Sequence, residues 1–104
     1  MAAIFNANSN TTSRQDMAEM KVFGGLCFRG ARQVRTIIAA TSATKAAAAV
    51  HETPHHFRGY WSVTGNSAEL IAALSNPGQV FQARDSLGKD FKPAVRVNGS
   101  WVDA

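Results

Sequence analysis

The chain is poor in the residues that anchor the commonest small functional scaffolds. It has one cysteine, Cys27, in 104 residues. A single cysteine excludes an intramolecular disulfide framework and a multi-cysteine zinc cage. No apolar run approaches the roughly 20 residues that a membrane-spanning helix needs. The first sixteen residues lack a basic segment followed by an apolar one, so no secretory signal is expected and the reading is cytoplasmic. Only 17% of residues are charged, and three are proline. The length allows one domain.

What is present is a mild basic excess, +4 at neutral pH, and an apolar fraction of 45%. Eighteen of those apolar residues are alanine, which leaves material for one thin core. Residues 1–16 are rich in Asn, Ser and Thr and are read as a flexible polar tail, with a single domain over 17–104.

Two β-prone runs open the domain, Lys21–Phe28 and Val34–Ala40, joined by a five-residue loop from Arg29 to Gln33. Gly24 and Gly25 inside the first run imply a bulge or a close backbone approach. Thr41 or Ser42 can cap an alanine-rich helix over Ala43–Val50. Thr53 followed by Pro54 starts a second helix that reaches about Trp61. Asn66, with Glu69 three residues on, resembles a capping box for a third helix with an apolar face of Leu70, Ile71 and Leu74. Asn76-Pro77-Gly78 ends it. Gln79–Arg84 and Phe91–Val97 read as strands, and Asn98-Gly99 is the signal of a tight type I′ hairpin into Ser100–Val102. The expected class is α+β: a small antiparallel sheet, built from an N-terminal hairpin and C-terminal strands, with a central three-helix segment.

Thr41–Trp61 (TSATKAAAAVHETPHHFRGYW) resembles a helix-turn-helix unit. The resemblance implies Ala47 at the close approach of the helices and Val50, Phe57 and Tyr60 in their core. It implies Thr53 as cap of a recognition helix and His55 and Arg58 facing outward, toward a DNA groove. His51 stands where that family usually has a turn glycine. The charge map points the same way, because Arg29, Arg32, Arg35, Lys45 and Arg58 lie between residues 29 and 62 against Glu52 alone. The candidate nucleic-acid contacts are therefore Arg29, Arg32, Arg35, Lys45, Thr53, His55 and Arg58. Tyr60, Trp61 and Trp101 are candidate partner anchors, with the two tryptophans preferred and Tyr60 read as the more core-like of the three.

His51-Glu52-Thr53-Pro54-His55 matches the letters H-E-x-x-H of zinc proteases. That chemistry needs one continuous helix, and Pro54 breaks it, so no metal site is expected. Cys27 lies in an apolar run and reads as a small buried hydrophobe rather than a nucleophile. No catalytic residues and no cofactor are assigned.

The stretches VRTIIAATSATKAAAAV, HHFRGYWSVTGN and ALSNPGQVF are similar to small accessory proteins of bacteriophages and mobile elements. The resulting expectation is a non-enzymatic binding protein. It takes nucleic acid, duplex DNA in the first instance, through the helix pair, as a homodimer in the usual manner of such units. The alternative is an inhibitor that binds and blocks a host enzyme or defence complex, in the bacterial cytoplasm if the chain is phage-encoded.

Overall fold

The computed structural model describes residues 20–85 and 88–104. The tail expected over residues 1–16 lies outside them. The elements are β1 (Lys21–Arg29), β2 (Arg32–Ala40), α1 (Ala43–Ala49), α2 (Pro54–Tyr60), β3 (Ser62–Val63), α3 (Ser67–Leu74), β4 (Val80–Ala83), β5 (Phe91–Val97) and β6 (Ser100–Asp103). The six strands form one sheet in the order β3-β1-β2-β4-β5-β6, antiparallel throughout. The α+β class is as the sequence implies.

Two hairpins set the register. The second is the expected one: Asn98 and Gly99 sit at φ 53° and 81°, both left-handed, as a type I′ turn requires. The first is tighter than expected. Arg29 pairs directly with Arg32, so the loop is two residues, Gly30 and Ala31, rather than five. Gly30, at φ 64°, fills the first central position that a type II′ turn reserves for glycine. Arg29 and Arg32 thereby become strand residues.

The sheet has two apolar faces, and alternation along β2 assigns them. Ile38 and Ala40 pack with Phe23, Cys27, Val50, Phe57, Trp61 and Trp101 against α1 and α2. Ile37 and Ala39 pack with Val22, Phe81 and Ala73 against α3. α3 is rotated from its expected setting. Its buried residues are Glu69 and Ala73, with Leu70 partly covered, while Ile71 and Leu74 are exposed. The ion pair that Glu69 makes with Arg35 of β2 turns this helix edge inward.

The sheet also curls. Four inter-strand steps separate β1 from β6, about 19 Å in a flat sheet. Even so, Arg29 Nη2 lies 2.7 Å from Asp103 Oδ1. That contact requires the helix-pair face to be concave.

The paired glycines of β1 are explained by this geometry. The β1–β2 register is continuous from Lys21↔Ala40 to Arg29↔Arg32, so there is no bulge. The reason is close approach on both faces. A Cβ on Gly24 would collide with the Arg35 guanidinium, and one on Gly25 would lie 2.5 Å from Trp61 Cδ2. Adjacent strand residues face opposite ways, so one glycine admits an arginine on the far face and the other a tryptophan on the near face.

Candidate binding surface around the outer edge of β1

The helix pair forms much as its sequence implies. Ser42 Oγ accepts from the Lys45 N–H, and Thr53 Oγ1 accepts from the His56 N–H, each at 3.2 Å. Between the helices, His51 takes φ 63°. Its N–H bonds the Ala48 carbonyl, and the Glu52 N–H bonds the Ala47 carbonyl. This is a Schellman stop with histidine in the left-handed place where glycine is usual. The break leaves His51 in the turn and His55 inside α2, so the H-E-x-x-H letters do not share one helix.

The expected cationic face is only partly assembled. Arg32, Lys45, His55 and Arg58 are exposed on the helix and hairpin surface. Arg35 is not with them. It lies on the far face, where Nε and Nη2 bind both carboxylate oxygens of Glu69 at 2.7 and 3.0 Å. Arg29 is committed as well. It bonds Asp103 and the Gln82 side chain, and Gln82 in turn bonds the buried Thr36 hydroxyl. Arg84 shares the same Asp103 oxygen at 2.6 Å. The Arg29 and Arg84 guanidiniums hold the Asp103 carboxyl below its ordinary range. Two of the five clustered cations are therefore neutralised by acids distant in sequence, which a charge count along the chain cannot anticipate.

The aromatic expectations are inverted. Trp61 and Trp101 are each only 7% exposed, whereas Tyr60 is 73% exposed. Phe57 and Trp61 stack with centroids 4.9 Å apart, and the interior claims both rings. Tyr60, the last residue of α2, points to solvent instead and lies beside His56, centroids 4.6 Å apart. Phe57 and Val50 are core residues, as the resemblance implied.

The feature that sequence reading missed is the outer edge of β1. β3 pairs only with Phe23 and Gly24, because the helix before it runs to Tyr60 and leaves only the extended Trp61 between. The Thr64 N–H bonds the Val22 carbonyl, so even-numbered residues of β1 direct their backbone groups outward. Beyond Gly24, the N–H and C=O of Leu26 and Phe28 face no strand among the described residues. Their side chains, on the far face, are 55% and 63% exposed. A cleft of about 590 Å³ runs along this edge. Its walls come from Tyr60 and Trp61 at the end of α2, from Trp101 and Gly99 of the second hairpin, and from Arg96 of β5. Glu52 and His56 line it too, with His56 Nε2 3.3 Å from Glu52 Oε1.

Cys27 also borders this cleft. Burial pushes its thiol above the ordinary value, against the lowering influence of the Thr36 hydroxyl. Such a thiol stays protonated at neutral pH and is a poor nucleophile.

Glu69 gives a prediction with a defined pH window. The Arg35 hydrogen bonds hold its carboxyl below the ordinary value of 4.5. A depressed folded pKa contributes stability that is complete above the unfolded value and lost as pH falls through the folded one. Glu69→Gln is expected to cost about 1–2 kcal/mol at pH 7, discounted for the partly exposed Arg35. The difference from wild type should shrink as pH drops below 4.5, measured by urea denaturation at each pH.

No family model, curated protein or solved structure matches the chain. Among the described residues no helix is long and apolar enough to cross a membrane, and no group of three or more His, Cys, Asp or Glu converges on a metal position.

Proposed function

We propose that this chain is a non-enzymatic protein-binding module whose contact surface is the outer edge of β1. The observation that carries this reading is the unpaired edge at Leu26 and Phe28 with both apolar side chains exposed. Free edges are normally blunted by charge, proline, a bulge or a cover, since an open row of N–H and C=O groups recruits another chain. Gly25–Phe28 contains no charge, proline or bulge, and no strand among the described residues covers it. The resemblance to small accessory proteins of phages and mobile elements supports a blocking role against a host enzyme or defence complex.

Nucleic-acid binding through the helix pair is the second reading. It is favoured by the turn at His51 and by the exposed Lys45, His55 and Arg58, none of which enters an ion pair among the described residues. It is weakened by the loss of Arg29 and Arg35 to internal partners.

The two readings separate in one capture experiment from bacterial lysate, run with and without nuclease. Phe28→Lys removes an exposed apolar contact from the edge without touching the core. The expected result is a protein partner enriched at least about tenfold by wild type over Phe28→Lys, and retained by Arg58→Ala. Capture that survives Phe28→Lys but vanishes with Arg58→Ala or with nuclease would favour nucleic acid.

A further inference from the structure

Resting on the protein-binding reading, we propose that the cleft beside β1 takes an extended peptide segment carrying a carboxylate, which Arg96 binds. The peptide adds as a strand to the Leu26–Phe28 edge.

Three observations select this occupant. The first is shape. The open edge spans Gly25–Phe28, about 13 Å at 3.3 Å per residue. It forms one wall of a cleft flanked by α2 and the β5–β6 hairpin. Tyr60 and Gly99 both line it, and its length matches a single extended strand of three or four residues. A cleft of about 590 Å³ is within the range that holds ligands.

The second is hydrogen bonding. Leu26 and Phe28 each direct one N–H and one C=O toward the cleft, so an added strand gains up to four ladder bonds. Main-chain bonds of this kind supply affinity, and alternate side chains supply selectivity.

The third is charge. Of the ionic groups lining the cleft, Arg35 is held by Glu69, and Glu52 lies 3.3 Å from His56, an ion pair only when that histidine is protonated. Arg96 makes no ion pair among the described residues. The cleft therefore presents one guanidinium free of an ion pair among the described residues, on a lining shared with Trp61 and with Trp101, its cross-strand neighbour. That arrangement suits a carboxylate next to an apolar side chain, with Arg96 binding it through two parallel N–H···O bonds.

The test uses the full chain and a defined probe, the capped hexapeptide Ac-Thr-Val-Glu-Val-Thr-Val-NH2. Controls are its glutamine counterpart, a version N-methylated at alternate residues, and a ten-nucleotide oligo(dT). Binding is read from tryptophan fluorescence and from the amide shifts of Leu26 and Phe28. The glutamate peptide should bind about tenfold tighter than the glutamine peptide, and N-methylation should abolish binding. Arg96→Gln should erase the preference for glutamate while leaving the glutamine peptide unchanged. Because the Glu/Gln comparison is made on the unaltered protein, a poorly folded Arg96 variant cannot obscure it. Equal affinity for the two peptides, with the Leu26 and Phe28 amides still shifting, overturns the carboxylate proposal and leaves the protein-binding reading standing. No shift at those amides with any peptide overturns both. Quenching by oligo(dT) alone, lost in Arg96→Gln, would assign the cleft to phosphate and overturn the peptide.

Discussion

Phe57→Ala is expected to lower the unfolding free energy by about 3–5 kcal/mol, the range for deleting a buried phenyl ring. Phe57 is the largest of the fully buried side chains. It stacks on Trp61 and meets Phe23 edge-on at 5.5 Å, so it joins α2 to β1. Neither neighbour can move into the space it leaves. Phe23 is fixed in the β1–β2 ladder, and Trp61 is held against Gly25. A domain of this size has about 5–15 kcal/mol of stability in total. The melting temperature should therefore fall by on the order of 20 °C. A shift of only a few degrees would mean that α2 is not fastened to the sheet through this residue.

The second large effect is a contrast between neighbours. Gly25→Ala places a methyl group 2.5 to 2.7 Å from three atoms of the Trp61 indole. The ring is pinned between Phe57 and the strand, so the backbone or the whole α2 terminus must shift. Overpacking of that kind costs about 1–3 kcal/mol. It should also change the tryptophan fluorescence and near-ultraviolet circular dichroism. Gly24→Ala meets the tip of Arg35 instead. A guanidinium on a flexible stem can swing aside, giving up part of its bond to Glu69, at about 1 kcal/mol. The expected order is a larger loss for Gly25→Ala, with the tryptophan signal altered in that variant alone. Equal losses with unchanged spectra would remove the close-approach explanation of the two glycines.

Much of this fold was legible locally. Ser42, Thr53 and Asn66 are short polar side chains placed where a helix begins, and each accepts a bond from the N–H three residues on. Asn98-Gly99 requires left-handed backbone at two consecutive positions, and few other pairs supply it cheaply. The capping box at Asn66 was half legible. The cap bond forms, but the Glu69 carboxylate turns away to Arg35. That departure is a long-range event, and it also explains why Ile71 and Leu74 face outward. The same cause defeated the charge map. Arg29, Arg35 and Arg84 find Asp103 and Glu69 across the sheet, and no spacing along the chain encodes those meetings.

The aromatic reversal has a related origin. Phe57, Tyr60 and Trp61 lie close together in sequence, and helical spacing pairs Phe57 with both Tyr60 and Trp61. The choice between them is made by Gly25, which opens a slot for one ring only. Trp61 fills it and Tyr60 is left at the lip of the cleft. The open edge of β1 was illegible for a different reason. It exists because its neighbour β3 is two residues long. Ser62-Val63 is too short to carry a strand signal of its own.

Amide hydrogen exchange along β1 tests the central claim most directly. In the free chain the Leu26 and Phe28 N–H groups have no strand partner among the described residues and should exchange fast. Those of Gly25 and Cys27, bonded to β2, should exchange slowly. Adding the captured partner should protect Leu26 and Phe28 and leave residues 55–60 unchanged. Protection appearing on His55–Tyr60 instead, with Leu26 and Phe28 still exchanging freely, would contradict the account and move the contact surface to the helix pair.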